Sequence, residues 1–223
     1  MNFIDRQDAG ERLAAALQLI PLDRPVVLGI PRGGVPVAAC IAEVLRAPLG
    51  VIVARKIRAP GQPELALGAT ASDGTTWIDK ELALSTGADA KYLEEETKLQ
   101  AAEARAREER FNGRRAPVRG HTAIVVDDGL ATGSTAIAAV RALKKAGASR
   151  VLLAVPVAPP RTVALLRGEA DEVICLHEDE EFTSVGQYYQ DFRQVEDREV
   201  MKILETYERK CRATAGKKGN LEL

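Results

Sequence analysis

The chain has 223 residues, 46% of them apolar and 28% charged, with 31 basic against 32 acidic side chains and a formal net charge of -1. That length suits one sizeable core with embellishments rather than two independent domains, and the even charge balance gives no reason to expect nucleic acid as a partner. No apolar run approaches the ~20 residues that span a bilayer, and acidic residues stand at the N-terminus where a signal peptide carries basic ones, so neither a membrane nor secretion is expected.

In chain order, Asp8 followed by Glu11 resembles a capping box and opens an amphipathic helix with Leu13, Leu17 and Ile20 on one face. Residues 25–30 read as a short apolar strand, with Pro31, Arg32, Gly33 and Gly34 as its terminal loop. A helix over 35–45 and a second buried strand over 49–54 come next. Arg55 and Lys56 then lead into a polar stretch containing Pro60, Gly61 and Pro63 that ends at Glu64, the composition of a mobile flap. Residues 65–71 and 75–78 pair as a hairpin across Ser72, Asp73 and Gly74, because Asp-Gly favours a tight turn. Residues 89–110 form a long, highly charged helix with few apolar positions, an arm or lid rather than a core element.

Strands over 122–126, 151–155 and 172–176 alternate with helices over 135–146 and 160–166. This alternation predicts an α/β fold, a doubly wound, mostly parallel five-stranded sheet with a helical arm or hood insertion. Residues 1–212 then make a single domain, with a flap and hairpin at 56–71, a helical insertion at 79–112 and a hood loop at 177–193. The Lys- and Gly-rich tail over 213–223 is expected to be disordered. Cys40, Cys175 and Cys211 lie far apart without paired spacing, an odd and sparse set that fits a reducing, cytoplasmic compartment.

Ligands of such sheets bind beyond the carboxyl ends of the strands, so the loops at 31–34, 55–64, 127–135, 156–160 and 177–186 should converge. The most informative is the third. Apolar residues Ala123, Ile124, Val125 and Val126 run into Asp127 and Asp128, then Gly129, Leu130, Ala131, Thr132, Gly133, Ser134 and Thr135 open a helix. Unpaired N–H groups and the helix dipole make that turn an anion site, and Thr132, Ser134 and Thr135 add hydroxyl donors. The acidic pair would repel phosphate, so it must serve another part of the ligand. Two carboxylates beside a phosphate cradle suit the vicinal hydroxyls of a ribose. Arg32, Gly33 and Gly34 form a second anion loop, where adjacent glycines expose N–H groups and the guanidinium offers bidentate contact.

The run from Ala123 to Thr135 resembles the PRPP-binding signature of the type I phosphoribosyltransferases, with the Asp-Asp-Leu-Leu-Ala-Thr-Gly run of adenine phosphoribosyltransferases especially similar. The whole chain resembles the group of predicted phosphoribosyltransferases within that superfamily. The resemblance implies transfer of a phosphoribosyl group from PRPP to a nitrogenous base, with Mg2+ arriving on PRPP and no dedicated protein metal site. Ala131, Thr132, Gly133, Ser134 and Thr135 would hold the 5-phosphate, and Asp127 and Asp128 the ribose. Arg32, Gly33, Gly34, Arg55, Lys56 and Arg193 would face the pyrophosphate. Lys56 and Glu64 on the flap join Asp127 and Asp128 as candidate catalytic residues, flap closure excluding water. A cis peptide at Pro31–Arg32 and a homodimer are further expectations from the resemblance.

Where 6-oxopurine enzymes carry an Asp acting on the purine N7, this chain has Ala131, which disfavours hypoxanthine–guanine chemistry by that route and leaves the acceptor open. Phe182 reads either as a core aromatic or as a stacking surface for a base, with the backbone near Val185 reading its edge. A non-catalytic PRPP or nucleotide sensor on the same fold is the second reading. A phosphate-loop NTPase is excluded, since no lysine follows Gly133.

Overall fold

The structure, a computed structural model, describes residues 2–111 and 116–218. Helix α1 (Arg6–Leu17) precedes strand β1 (Pro25–Gly29), helix α2 (Gly34–Leu45) and strand β2 (Leu49–Val51). A small sheet follows, built from β3 (Ala54–Ala59), β4 (Gln62–Ala71) and β5 (Thr76–Ile78), and then helices α3 (Lys80–Ser85) and α4 (Ala90–Arg110). The chain returns through β6 (Thr122–Val126), α5 (Ser134–Lys145), β7 (Arg150–Ala158), α6 (Pro160–Arg167) and β8 (Glu172–Glu178), and ends in α7 (Asp197–Lys218).

The main sheet has the order β2-β1-β6-β7-β8, and all its pairings are parallel. Strand β6 is buried at every position, as a central parallel strand covered on both faces must be. Alternate side chains go to opposite layers. Val27, Ile124 and Leu152 pack with Leu13, Leu17 and Ile41 of α1 and α2. Val26, Val125 and Leu153 pack with Ile137, Val140 and Leu166 of α5 and α6. A third cluster joins Val51 and Val53 to Ala104 and Phe111 on the arm and to Val200 and Leu204 on α7. No helix among the described residues is long and apolar enough to cross a membrane.

Several elements depart from the sequence reading. Helix α1 starts earlier than expected: Asp5, not Asp8, is its N-cap, its carboxylate accepting from the N–H groups of Gln7 and Asp8. The second strand stops at Val51, and Ala54–Ala59 turns into the small sheet, antiparallel to β4. The expected flap is thus a β-hairpin with Pro60 and Gly61 at its tip, where Gly61 has φ +68°. Its alternation was masked by charge, with Ile57 and Ala59 inward and Lys56 and Arg58 outward. The hairpin across Ser72–Gly74 forms as expected, Thr70 facing Thr76. Helix α4 matches the charged arm, capped by Asp89. Helix α7 had no counterpart in the sequence reading and runs to Lys218; residues 219–223 of the expected tail lie outside the described residues, as does residue 112 of the helical insertion.

Candidate functional site

Strands β1 and β6 lie side by side with Gly29 opposite Val126, so the loops that leave their carboxyl ends are neighbours. The contact is close. A Cβ added to Gly33 would lie 1.9 Å from Asp128 Oδ2, and one added to Gly34 would lie 2.4 Å from the Val126 carbonyl oxygen and 2.9 Å from Asp127 Cα. The two glycines are there because no side chain fits between the anion loop and the acidic pair. The Pro31–Arg32 peptide bond is cis, as the resemblance implied.

The acidic pair is held from several directions. The Asp128 N–H donates to Asp127 Oδ1 at 2.9 Å. Arg6, absent from the sequence reading, donates from Nε to Asp128 Oδ2 at 2.8 Å, with both side chains largely covered. The Tyr189 hydroxyl donates to the Asp128 carbonyl at 2.6 Å. Asp127 keeps some contact with solvent at its surface but lies deep in the protein volume, and depth governs its desolvation. Burial first, and the adjacent Asp128 second, push its carboxyl well above the usual carboxylate range. Burial and the same carboxylates push the Tyr189 phenol up, so it stays a neutral donor.

The loop over residues 131–135 is positioned from below. Gly133, at φ +76°, turns the chain into α5, and Ser134 is buried at the first helical position. The buried Thr162 hydroxyl of α6 donates to the Ala131 carbonyl at 2.6 Å, and the Leu130 N–H donates to the Val157 carbonyl at 3.0 Å. Thr132 and Ser134 line a cavity of about 260 Å³ with Trp77, Arg161 and Leu165.

The remaining sequence candidates are distributed unevenly. Val185 reaches the site, since a Cβ on Gly129 would meet its Cγ1 at 2.6 Å. Phe182 stacks on Tyr188 with centroids 5.7 Å apart and belongs to an aromatic cluster with Phe3 and Tyr189. Arg55 is turned toward the arm, donating from Nε to Gln100 Oε1 at 2.8 Å and pairing with Glu103. Lys56 and Glu64 are exposed on the hairpin. Arg193 pairs with Glu199 at 3.3 Å, and its carbonyl accepts from Arg6. Arg32 lies 3.9 Å from Asp197 Oδ1, which also receives Arg107 at 2.8 Å. Sequence reasoning missed Arg6, Tyr189, Thr162 and Asp197, all of which act across long sequence separations. An arginine at the first position of a helix, against the helix dipole, was the one local signal.

Comparison with known proteins agrees with this geometry. The family described as "Phosphoribosyl transferase domain" matches residues 5–192. A Mycobacterium tuberculosis protein named "Putative phosphoribosyl transferase Rv0571c" is 46% identical over 205 residues, covering 91% of this chain and 46% of that protein. The chain therefore spans about half the length of the curated relatives it matches, 46% of each. The crystal structure of TT1426 from Thermus thermophilus superposes with a TM-score of 0.79 at 44% identity, covering 93% of this chain and 99% of that one. The AQ2163 protein from Aquifex aeolicus shares the fold at 16% identity and a TM-score of 0.51, over 81% of this chain and 78% of that one.

Proposed function

The chain belongs to the phosphoribosyltransferase domain family, and we propose that it transfers the 5-phosphoribosyl group of PRPP to a nucleobase-like nitrogenous base, releasing pyrophosphate. The observation that carries this reading is the abutment of Gly33 and Gly34 on Asp127 and Asp128, which supports a pyrophosphate role for the first pair beside a ribose role for the second. Asp127 and Asp128 accept from the ribose hydroxyls and favour positive charge on the ring as the C1–oxygen bond breaks. Arg32 and the amides of 33–34 stabilise the departing pyrophosphate, and the loop from Ala131 to Thr135 holds the 5-phosphate. Carboxylate and hydroxyl oxygens are hard donors that suit magnesium; carried in on PRPP, it would supply positive charge to offset that of the leaving group.

The β3–β4 hairpin closes over the substrate, bringing Lys56 to the pyrophosphate and Glu64 to the acceptor nitrogen. Val185 borders the acceptor side, and Phe182 backs it through Tyr188. A homodimer whose contact includes α4, working in a reducing cytoplasm that suits the three free cysteines, completes the proposal. One observation favours the sensor reading: Arg55 is engaged by Gln100 and Glu103 rather than by the anion loop. Isotope exchange between PRPP and pyrophosphate across a panel of bases separates the readings. Exchange with one base class supports transfer, tight PRPP binding without any exchange supports the sensor, and absence of PRPP binding in calorimetry overturns both.

A further inference from the structure

Arg6 is an unusual first residue for a helix. A cation there opposes the helix dipole, and the local capping is done by Asp5. Its side chain instead reaches across to the acidic pair and to the 192–193 segment. Nε donates to Asp128 Oδ2 at 2.8 Å, one terminal nitrogen donates to the Arg193 carbonyl at 2.9 Å, and the guanidinium lies 4.1 Å from the centroid of the Phe192 ring. The planar group thus uses its fork on two elements and its face on a third. Asp128 in turn is hemmed in by Gly33, whose missing Cβ would fall on Oδ2.

We propose that Arg6 is a positioning residue for phosphoribosyl transfer, fixing one oxygen of Asp128 so that the other is presented to the ribose, and tying that carboxylate to the backbone at Arg193. This rests on the phosphoribosyl reading of the site. Two adjacent carboxylates in a partly desolvated pocket repel each other. The Arg6 charge, held at hydrogen-bond distance from one of them, offsets that repulsion without occupying the ribose side. Because the same guanidinium grips Phe192 and Arg193, the segment that borders the acceptor side and the ribose-binding acid move together.

The test compares Arg6→Gln and Arg6→Lys with the wild type by calorimetry, using magnesium–PRPP and magnesium–pyrophosphate as separate probes, with thermal melts alongside. Losing a charge-assisted bond at a covered site predicts PRPP binding weakened about ten- to hundredfold in Arg6→Gln. Pyrophosphate, which meets loop 31–34 and not the ribose acids, should bind that variant as it binds the wild type. Arg6→Lys restores the charge but not the fork, and its PRPP affinity should fall between the two. Wild-type PRPP affinity in Arg6→Gln overturns the proposal. So does an equal loss of both probes together with a lowered melting temperature, the mark of a purely structural tie. Wild-type protein that binds neither probe overturns the underlying phosphoribosyl reading, and the role of Arg6 with it.

Discussion

Gly33 and Asp128 share a space with no room for one more carbon: a Cβ at position 33 would sit 1.9 Å from Asp128 Oδ2 and 2.4 Å from its Cγ. The backbone of Gly33, at φ -63° and ψ -32°, is open to any L-residue, so the requirement for glycine here is one of contact and not of conformation. Gly33→Ala should therefore force the carboxylate aside and weaken PRPP binding by at least about tenfold, in the range of a lost charged hydrogen bond. Adding Asp128→Ala to Gly33→Ala should return the melting temperature toward wild type without returning binding. Melts and calorimetry on the two single variants and the double variant read this coupling directly. Additive losses of stability would contradict the contact.

Asp127 gives a prediction in pH. Folding raises its carboxyl above the ordinary range, through burial and then through Asp128. The folded state therefore keeps this proton at pH values where the unfolded chain has released it. Its contribution to stability is most favourable in acid and declines as pH rises from about 3.9, the unfolded value, through the raised folded value. Asp127→Asn removes the titration, so the variant should melt higher than wild type at pH 7. The gain is expected to shrink toward pH 4. A variant less stable than wild type at pH 7 would refute the assignment.

The parallel sheet was legible because its central strands are buried on both faces and so read as unbroken apolar runs, as in Ala123 to Val126. The acidic pair and the Thr-Gly turn were legible because they are contiguous in sequence, at the junction of an apolar strand and a helix start. The β3 strand was not, since Arg55, Lys56 and Arg58 interrupt its apolar positions and the pairing partner lies across a tip of two residues. Helix α7 was missed for a related reason: its buried positions, Val200 and Leu204, are sparse among charges and pack on β2 and the arm. The contribution of Arg6 to the site depends on a partner 122 residues away. No local pattern encodes that; only the packing of α1 on α2 and on strands β7 and β8 brings the pair together.

Thr162 supports the loop over residues 131–135 from α6. Its hydroxyl, buried with the side chain, donates to the Ala131 carbonyl at 2.6 Å. Thr162→Val keeps the shape and removes the donor, which should cost about 1 kcal/mol of stability. PRPP affinity should fall several-fold, because loop 131–135 loses its anchor, while pyrophosphate affinity stays at the wild-type level. Equal weakening of both ligands would place the effect outside the phosphate loop.

Asp197, at the start of α7, joins two cations from separate elements: Arg107 of the arm at 2.8 Å and Arg32 of the anion loop at 3.9 Å. The Arg107 bond is the shorter and carries the structural role, and Arg107 Nε is already buried without a hydrogen-bond partner among the described residues. Asp197→Asn should therefore destabilise the fold by about 1–3 kcal/mol, the cost of weakening a charged hydrogen bond at a partly covered site, with a further small loss from removing an acid at a helix N-terminus. The same change takes a carboxylate away from Arg32. The guanidinium is then free to face an incoming anion, and pyrophosphate should bind a few-fold more tightly even as the melting temperature falls. Opposite signs on stability and affinity are the signature to look for in paired melts and low-salt calorimetry. Unchanged or weaker pyrophosphate binding would mean that Asp197 serves only to fasten the arm to α7.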